Sequence, residues 1–302
     1  MSLNYLPTVK LIYATPLAEK IVASSAKATL SPKDFTEISE NMESSDIGGW
    51  IKELIARGHG SPLEHCLYVY EVVCSRVTSH QLVRHRHASY SQLSQRYSDK
   101  YLKKLVIKAC ELAGVDYRDS YELHADVLSR VAKSHLEFNA LLDLLGEAFI
   151  IPPSAVEKQR VELLKSLLEY TANYYRALSM GIPHEDARYI LPQAVKTRVV
   201  VSMNARELVE VFLPLRMCNR AQWEIRMIAW SLWQQLVRAH PLIFWYTGPR
   251  CVLYENRAGE KTCTLREYLV GEATFTISRC PERVPRDQMR SCLKRAQIDL
   301  PS

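Results

Sequence analysis

A polar segment that directly follows an apolar run constrains this chain more than any other feature of its sequence. Residues 84–97 contain three arginines, three serines and no carboxylate, and residues 66–83 before them are strongly apolar. Guanidinium groups keep their charge at any physiological pH, so this segment cannot neutralise itself internally. The apolar run is therefore expected to anchor this polar segment in the protein interior, and the segment is expected to bind an anion from outside the chain. Planar donors of several hydrogen bonds favour a phosphate as that anion.

Three interpretations of the segment stay open on the residues alone. It could be a patch for a nucleic-acid backbone, a structural hydrogen-bond network, or a site for a small phosphorylated ligand. Nonspecific tracking of phosphates needs mainly Lys and Arg, whereas Ser, Gln and Tyr are interleaved here. The sequence therefore favours the small ligand over the other two.

The pattern within this segment resembles the signature of the flavin-dependent thymidylate synthases. The matching residues are Arg-His-Arg at 84–86, then Ser89, Ser94, Arg96 and Tyr97. The resemblance implies methylation of deoxyuridine monophosphate (dUMP) to thymidylate (dTMP). It also implies FAD as hydride carrier, 5,10-methylenetetrahydrofolate as carbon donor and NADPH as reductant.

Composition fits an enzyme of this kind without proving it. The chain has 302 residues, of which 47% are hydrophobic and 24% charged, and its net charge of +6 suits an anionic substrate. No apolar run approaches the ~20 residues of a membrane span. Residues 1–5 lack the start of a signal peptide, so we expect a cytoplasmic protein with no membrane partner. The eight cysteines include no Cys-x-x-Cys pair, so we expect reduced thiols and no metal site.

Hydrophobic periodicity predicts strands at 9–13, 67–73 and 197–203. Helices are predicted at 16–30, 47–57, 78–87 and 155–180, with another starting at Pro32. Residues 89–97 read as a loop, because short polar residues disfavour a helix interior. Residues 101–180 are predicted to be helical, with a capping box at Asp119 and Glu122 and an apolar stripe that faces the core. Residues 253–302 are predicted to consist of short turns rich in Arg, Glu and Pro. The stripe comprises Leu123, Val127, Val131, Leu136 and Leu141.

The expected fold class is α+β, an antiparallel or mixed sheet packed with long helices, as in the family and without a Rossmann motif. We expect a catalytic domain at 1–247 with a helical insertion at about 102–180. Residues 248–302 would form a C-terminal extension.

A turn at residues 58–65 contains two glycines and a proline, so its backbone can approach a ligand closely. Taken alone, His59 reads as a turn-stabilising residue. The turn resembles the family's histidine-containing loop, which implies flavin contacts for His59 and Ser61. Glu64 and His65 would then be a supporting pair.

Two later segments also resemble family motifs. Residues 181–192 form a short helix whose Arg188 could simply pair with Glu185, but the resemblance implies a nucleotide contact. Asn204 with Glu207 fits a helix N-cap, and Asn-Ala-Arg at 204–206 resembles the family's second flavin motif. The family often has a polar flavin contact about six residues after this asparagine, where this chain has Glu210.

Residues 215–226 complete the resemblance, which implies that Arg216 reaches the pyrimidine and assists its ionisation. Cys218 lies close by, but this enzyme class needs no cysteine nucleophile, so we expect it to pack. Ser94 joins Arg216 as a catalytic candidate, although a phosphate or ring contact suits it better than nucleophilic attack. Trp223, Trp230 and Val237 share an apolar stripe that we assign to the core.

The resemblance gives two residue sets, some members of which would come from a neighbouring subunit of a homotetramer. The predicted dUMP residues are Gln81, Arg84, Gln92, Ser94, Gln95, Arg96, Arg188 and Arg216. The predicted FAD residues are His59, Ser61, Arg84, His85, Arg86, Gln92, Asn204 and Arg206. Nucleic acid is not expected as a partner.

Overall fold

A four-stranded sheet with strand order β1-β2-β4-β3 carries most of the predicted site residues at or near its strand ends. The computed structural model describes residues 3–297. The strands are β1 (Thr8–Ala14), β2 (Leu67–Ser75), β3 (Ala88–Gln92) and β4 (Lys196–Asn204). In β2 successive side chains alternate between buried and more exposed positions, as expected for a sheet with one face in the core. The three predicted strands are confirmed, as is the α+β class.

Helices make up most of the remaining chain. They are α1 (Ala18–Ala28), α2 (Phe35–Glu40), α3 (Ser44–Arg57), α4 (Arg76–Leu82), α5 (Lys100–Ala113), α6 (Tyr121–Lys133), α7 (Phe138–Leu145), α8 (Pro153–Glu157), α9 (Val161–Ser179), α10 (His184–Ala187), α11 (Ala205–Glu207), α12 (Leu213–Arg216), α13 (Trp223–Ala239), α14 (Pro241–Phe244), α15 (Arg250–Ala258), α16 (Leu265–Val270) and α17 (Arg286–Ala296). A π-helical turn, Leu208–Phe212, joins α11 to α12. Short 3₁₀ turns occupy Ser61–His65 and Arg188–Ile190.

The predicted loop at 89–97 is wrong in its first part, because residues 88–92 form β3. Hydrogen bonding to the neighbouring strand satisfies the backbone, which outweighs the preference of short polar residues for loops. The pairing continues past β3, where the Leu93 N–H donates to the Arg198 carbonyl at 2.8 Å. The predicted helix at 78–87 is also too long, since α4 ends at Leu82. Arg84 and His85, which the predicted helix included, therefore lie on the turn after α4.

The chain divides into two compact units. Unit 1 comprises the described residues of 3–7, 73–81 and 91–199. Its core is formed by α5, α6, α7 and α9, where Val127, Val131 and Leu141 are buried as predicted. The apolar stripe is split between α6 and α7, and the predicted helix at 155–180 is split into α8 and α9 by residues 158–160. The cap of α6 is Ser120, which accepts from the Leu123 N–H, and not Asp119 as predicted.

Unit 2 comprises residues 8–72, 82–90 and 200–297. Here β1 packs against α13, and α1 packs against α2 and α3. Trp230 of α13 is buried as predicted, but Pro32 does not start a helix, because Asp34 caps α2 by accepting from the Glu37 N–H. The short turns predicted at 253–302 are wrong for much of this stretch, which contains the rest of α15 and all of α16 and α17. A capping box between Thr264 and Glu267 starts α16.

The predicted insertion at about 102–180 lies within unit 1, and residues 248–297 lie within unit 2. Residues 1–2 and 298–302, the ends of the predicted domains, are outside the described residues. Among the helices of residues 3–297, none is long and apolar enough to span a membrane.

Candidate active site

Three side chains of unit 2 form a hydrogen-bonded row that ends in Arg216. The Arg216 Nε donates to His85 Nε2 at 3.0 Å, and His85 Nδ1 lies 3.0 Å from Glu207 Oε1. The side chains of His85 and Glu207 are only 3% and 4% exposed, whereas Arg216 is half-buried. A buried carboxylate is thus linked through an imidazole to a guanidinium that reaches the surface of the unit. We call these three residues the Glu207–His85–Arg216 relay.

Hydrogen-bond chemistry fixes the tautomer of His85. A guanidinium has donors only, so His85 Nε2 must accept and carries no proton. The ring proton of the neutral imidazole then lies on Nδ1, which donates to the Glu207 carboxylate. The imidazole therefore has one orientation in which both of its nitrogens are satisfied.

Local structure holds each member of this row in place. The Asn204 side chain caps the helix by accepting from the Glu207 N–H at 2.8 Å, which confirms the predicted N-cap. The π-helical turn that follows carries Phe212, whose ring packs edge-on to His85 at 5.0 Å. The Tyr90 hydroxyl lies 2.7 Å from the His85 carbonyl and 2.8 Å from the Leu82 carbonyl. Tyr90 thereby fixes the turn that carries His85.

Electrostatics suit this arrangement. Burial raises the pKa of Tyr90 far above its usual value, and the nearby Glu207 carboxylate adds to the effect, so its hydroxyl stays a donor. Burial lowers the pKa of Arg216 from its ordinary value, but an arginine still carries its charge at neutral pH.

The predicted flavin residues of the 58–65 turn lie at the surface of the same unit. Gly58 has φ +70°, which favours glycine, and ends α3 before the turn. His59 and Ser61 are exposed, as are Arg84 and Arg86 on the turn after α4. Exposed cations and hydroxyl groups are suitable donors for a pyrophosphate.

Arg206 is the centre of an ion-pair network in unit 2. Its Nε donates to Glu210 Oε2 at 2.9 Å, and a terminal nitrogen bonds Glu64. Glu210 also accepts from Arg257 of α15. The hydrogen bond to Glu64 has the largest effect on the pKa of Arg206 and the bond to Glu210 the next largest; both raise it above its ordinary value. Glu210 is therefore an acceptor already engaged by two cations, and a flavin contact of the kind usual at this position is not to be expected from it.

Gly60 fits closely over this network. A Cβ at Gly60 would lie 2.6 Å from Arg206 Nε and 2.9 Å from both carboxylate oxygens of Glu210. The backbone of the turn can approach Arg206 only because no side chain stands there. The sequence predicts that this backbone can approach a ligand closely, and the structure shows its close approach to Arg206 and Glu210.

The remaining predicted dUMP residues belong to unit 1. Half-buried Gln92 donates from Nε2 to Thr197 Oγ1 at 3.1 Å, and the Ser94 hydroxyl accepts from the Arg96 N–H at 3.3 Å. The Arg96 guanidinium lies 5.2 Å from the centre of the Tyr97 ring. Arg188 donates from Nε to the Glu185 carbonyl at 2.9 Å. The pKa of Arg76 is lowered mainly by burial and also by the nearby positive charge of Arg188. Gln81 and Gln95 are half-buried in the same unit.

The cysteines give no sign of a metal centre or a nucleophile. Burial raises the pKa of the Cys218 thiol, so the thiolate is disfavoured at neutral pH. Cys218, Cys251, Cys280 and Cys292 line one small apolar cavity. Even so, no group of three or more His, Cys, Asp or Glu in the described part of the chain could hold a metal ion.

Sequence reasoning missed Glu207 and Arg257 as members of the site. Glu207 entered only as the partner of an N-cap, although a carboxylate beside the apolar Leu208 and Val209 was a signal that it is buried with a partner. Arg257 lies far along the chain in a region without a recognisable motif, so nothing in the sequence connected it with Glu210.

Comparisons with known proteins match almost the whole chain. Residues 10–242 match the family described as "Thymidylate synthase complementing protein". A flavin-dependent thymidylate synthase from Aeropyrum pernix is 44% identical, with 96% of this chain and 93% of that protein covered. One from Saccharolobus solfataricus is 37% identical, with 95% of each covered.

Solved structures agree in fold. Thymidylate synthase X from Helicobacter pylori, crystallised with FAD and dUMP, superposes with a TM-score of 0.58 at 25% identity. The match covers 79% of this chain and 97% of that one. A UMP/dUMP methylase from Streptomyces cacaoi, bound with 5-Br dUMP, has a TM-score of 0.56 at 22% identity, covering 79% and 93%, and shares the fold.

Proposed function

The chain belongs to the flavin-dependent thymidylate synthase family, and from this membership we infer that it methylates dUMP to dTMP with the help of bound FAD. The near full-length match to enzymes of this name carries the proposal. The relay that ends in Arg216 supports it, because a fixed cation is what the ionisation of a pyrimidine requires.

The residues of unit 2 fit a flavin by their donor chemistry. Exposed Arg84 and Arg86 suit its pyrophosphate, and exposed His59 and Ser61 suit the polar edge of its ring. Because Gly60 has no side chain, the backbone of its turn can lie close to Arg206. When bound, FAD supplies the hydride transfer of the reaction, while the protein orients and polarises the reactants. Asn204 and Arg206 would complete the flavin site.

His85 receives a revised role in this proposal. Its two ring nitrogens bond Glu207 and Arg216, and its backbone N–H donates to the Leu82 carbonyl at 3.2 Å. Every N–H of His85 is thus used within the chain. We assign it to holding Arg216 instead of contacting the flavin as the sequence predicted.

The nucleotide would be bound mainly by cations and amides. Arg84, Arg96 and Arg188 suit its phosphate, since planar donors can bond two phosphate oxygens at once. Arg216 stabilises negative charge that develops on the pyrimidine. Ser94 contributes a hydroxyl contact, and no histidine relay activates it as a nucleophile in the described contacts. Gln81, Gln92 and Gln95 would orient the base and sugar.

The remaining features of the proposal come from the family resemblance. The carbon donor would be 5,10-methylenetetrahydrofolate and the reductant NADPH. The protein would act as a homotetramer whose subunits share active sites, in the cytoplasm. The disfavoured thiolate of Cys218 supports a reaction without a cysteine nucleophile.

The visible spectrum of the purified protein, recorded with FAD and then with dUMP, tests the flavin. We expect bound oxidised flavin whose spectrum changes when dUMP is added. We also expect dTMP to form from dUMP only when FAD, NADPH and 5,10-methylenetetrahydrofolate are all present. A protein that binds no FAD would refute the proposal. Bound flavin without methyl transfer would instead point to a flavoprotein of another activity.

A further inference from the structure

We propose that Glu207 and His85 are positioning residues for Arg216, so that a buried carboxylate acting through a neutral imidazole holds the guanidinium where it stabilises negative charge on the pyrimidine. This inference rests on the proposed function, which supplies the substrate. It adds a residue, Glu207, that neither the family resemblance nor the sequence motifs assign to the reaction. It also states what His85 does for the reaction.

The first argument is that the fold alone does not need a carboxylate at position 207. The Glu207 side chain is 4% exposed, and its neighbours Leu208, Val209 and Phe212 are completely buried or nearly so. An ionised carboxylate in such surroundings is unfavourable unless it is paired, and an apolar side chain of similar size serves packing at least as well. The charge therefore has a use other than filling the core.

The second argument concerns the tautomer that the carboxylate selects. With the proton on Nδ1, directed at Glu207, the Nε2 lone pair of His85 faces Arg216. In the other tautomer an N–H would face the N–H of Arg216 Nε, and the bond between them would be lost. Glu207 thus keeps His85 an acceptor toward Arg216.

The third argument concerns the geometry of the guanidinium. A hydrogen bond at Nε fixes the plane of the group and directs its two terminal nitrogens away from the backbone. Errors of about 1 Å in the position of a catalytic group can lower turnover by about 100-fold. Among the described residues, Tyr90 of β3 and Tyr70 of β2 interact electrostatically with Glu207, and burial keeps both hydroxyl groups protonated. Neither competes with Glu207 for the proton on His85.

Variants of His85 separate this role from a structural one. His85→Gln keeps an acceptor at the position of Nε2, near Arg216, whereas His85→Asn keeps a donor at the position of Nδ1, near Glu207. We expect the Gln variant to retain kcat for dTMP formation within about 10-fold and the Asn variant to lose about 100-fold. Binding of dUMP, measured by calorimetry on the FAD-loaded protein, should weaken in the same order.

Variants of Glu207 test the carboxylate itself. Glu207→Gln preserves shape, and Glu207→Leu removes the acceptor; we expect kcat to fall in the order wild type, Gln, Leu. The double variant His85→Asn with Glu207→Gln should be no slower than His85→Asn alone, because Glu207 acts through His85. Glu255→Gln is the matched control, since Glu255 is 2% exposed in unit 2 but outside the site, and its kcat should equal that of wild type.

The outcomes are distinct. Asn and Gln variants of His85 with equal kcat, or losses that follow only the melting temperature, would overturn the relay. So would folded Glu207→Gln and His85→Asn variants with wild-type kcat and dUMP affinity. These two variants decide the matter if the Leu variant does not fold. A wild-type protein that makes no dTMP would remove the proposed function and this inference with it, whereas an active wild type with unaffected variants removes the inference alone.

Discussion

At the scale of single residues, the arrangement of the candidate site follows from the guanidinium of Arg216, which has only hydrogen-bond donors. Arg216 cannot accept a hydrogen bond, so the whole row behind it, through His85 to Glu207, has only one consistent arrangement of protons. In the proposed reaction the fixed charge of Arg216 would stabilise the ionised pyrimidine directly, without a reactive thiol.

Arg216→Ala is expected to lose both turnover and nucleotide affinity. Removing a preorganised donor of this kind lowers kcat by about 100- to 1,000-fold, because negative charge develops on the substrate without a partner. Steady-state kinetics of dTMP formation and calorimetry with dUMP would measure the two effects. The matched control is Arg238→Ala, an exposed arginine on α13. Equal kinetics for the two variants would refute the assigned role.

Lys196 gives a residue-scale prediction for stability in unit 1. It is buried, its Nζ donates to the Asn4 carbonyl at 2.6 Å and to the Gly146 carbonyl, and burial lowers its pKa from 10.5 to about 8. Above pH 8 the folded protein releases this proton while the unfolded chain keeps it up to 10.5, so stability increases with pH across that window. Relative to Lys196→Met, the free energy of unfolding of wild type should rise by about 2 kcal/mol between about pH 7 and about pH 9.5. Denaturant titrations at both pH values would measure it, and a flat difference would contradict the shift.

At the scale of elements, the turn at residues 58–65 and the helix that starts at Ala205 carry the residues of unit 2 that we propose bind the flavin. Their contact depends on one missing side chain, at Gly60, and on one cap, at Asn204. Both residues were evident in the sequence as types with special backbone roles. The contact of Gly60 with Arg206 and Glu210 was not evident, because those residues are distant in sequence.

Gly60→Ala is expected to weaken FAD binding. The added Cβ would lie within 3 Å of Arg206 and Glu210, so the ion pair beneath the turn must move. Gly49→Ala is the control. Apart from its chain neighbours and the backbone of its own helix, no described atom lies within 4 Å of a Cβ placed there, so the variant should stabilise α3 by about 0.5–1 kcal/mol without changing FAD affinity. Titration with FAD and thermal unfolding would separate the two variants. Unchanged FAD affinity in Gly60→Ala would show that the turn does not serve the cofactor.

Sequence patterns gave the strands β1, β2 and β4 and the cap at Asn204, because alternation and capping are local signals. They failed at β3 and at the end of α4, where partners distant in sequence decide the conformation. For the site, the arginines were evident from their types. The link from Glu207 to Arg216 was not, because it runs through a side-chain contact between residues 131 positions apart in the sequence.

At the scale of the whole molecule, the C-terminal helices are part of unit 2, and α15 contacts the candidate site. Arg257 of α15 donates to Glu210 and, at 3.4 Å, to the Ile55 carbonyl at the end of α3. Residues of the predicted extension therefore help to neutralise Glu210, which in the proposed site would otherwise repel an anionic cofactor.

Arg257→Met is expected to weaken FAD binding by about 3-fold. Without the Arg257 cation, the negative charge of Glu210 near the proposed flavin residues is less well compensated and repels the anionic cofactor. Exposed ion pairs of this kind contribute up to about 1 kcal/mol of free energy. The control is Arg250→Met on the same helix, whose ion pair is with Glu282 and away from Arg206. FAD titrations at low and high salt would measure the difference, which salt should reduce. Identical affinities for both variants would leave α15 without a role in cofactor binding.

The most direct test of the central claim is a crystal structure of the protein with FAD and dUMP. We predict that a terminal nitrogen of Arg216 lies within hydrogen-bond distance of the uracil while its Nε remains on His85, with Glu207 behind. A uracil bound away from Arg216, or an Arg216 that has left His85 to reach it, would contradict the account.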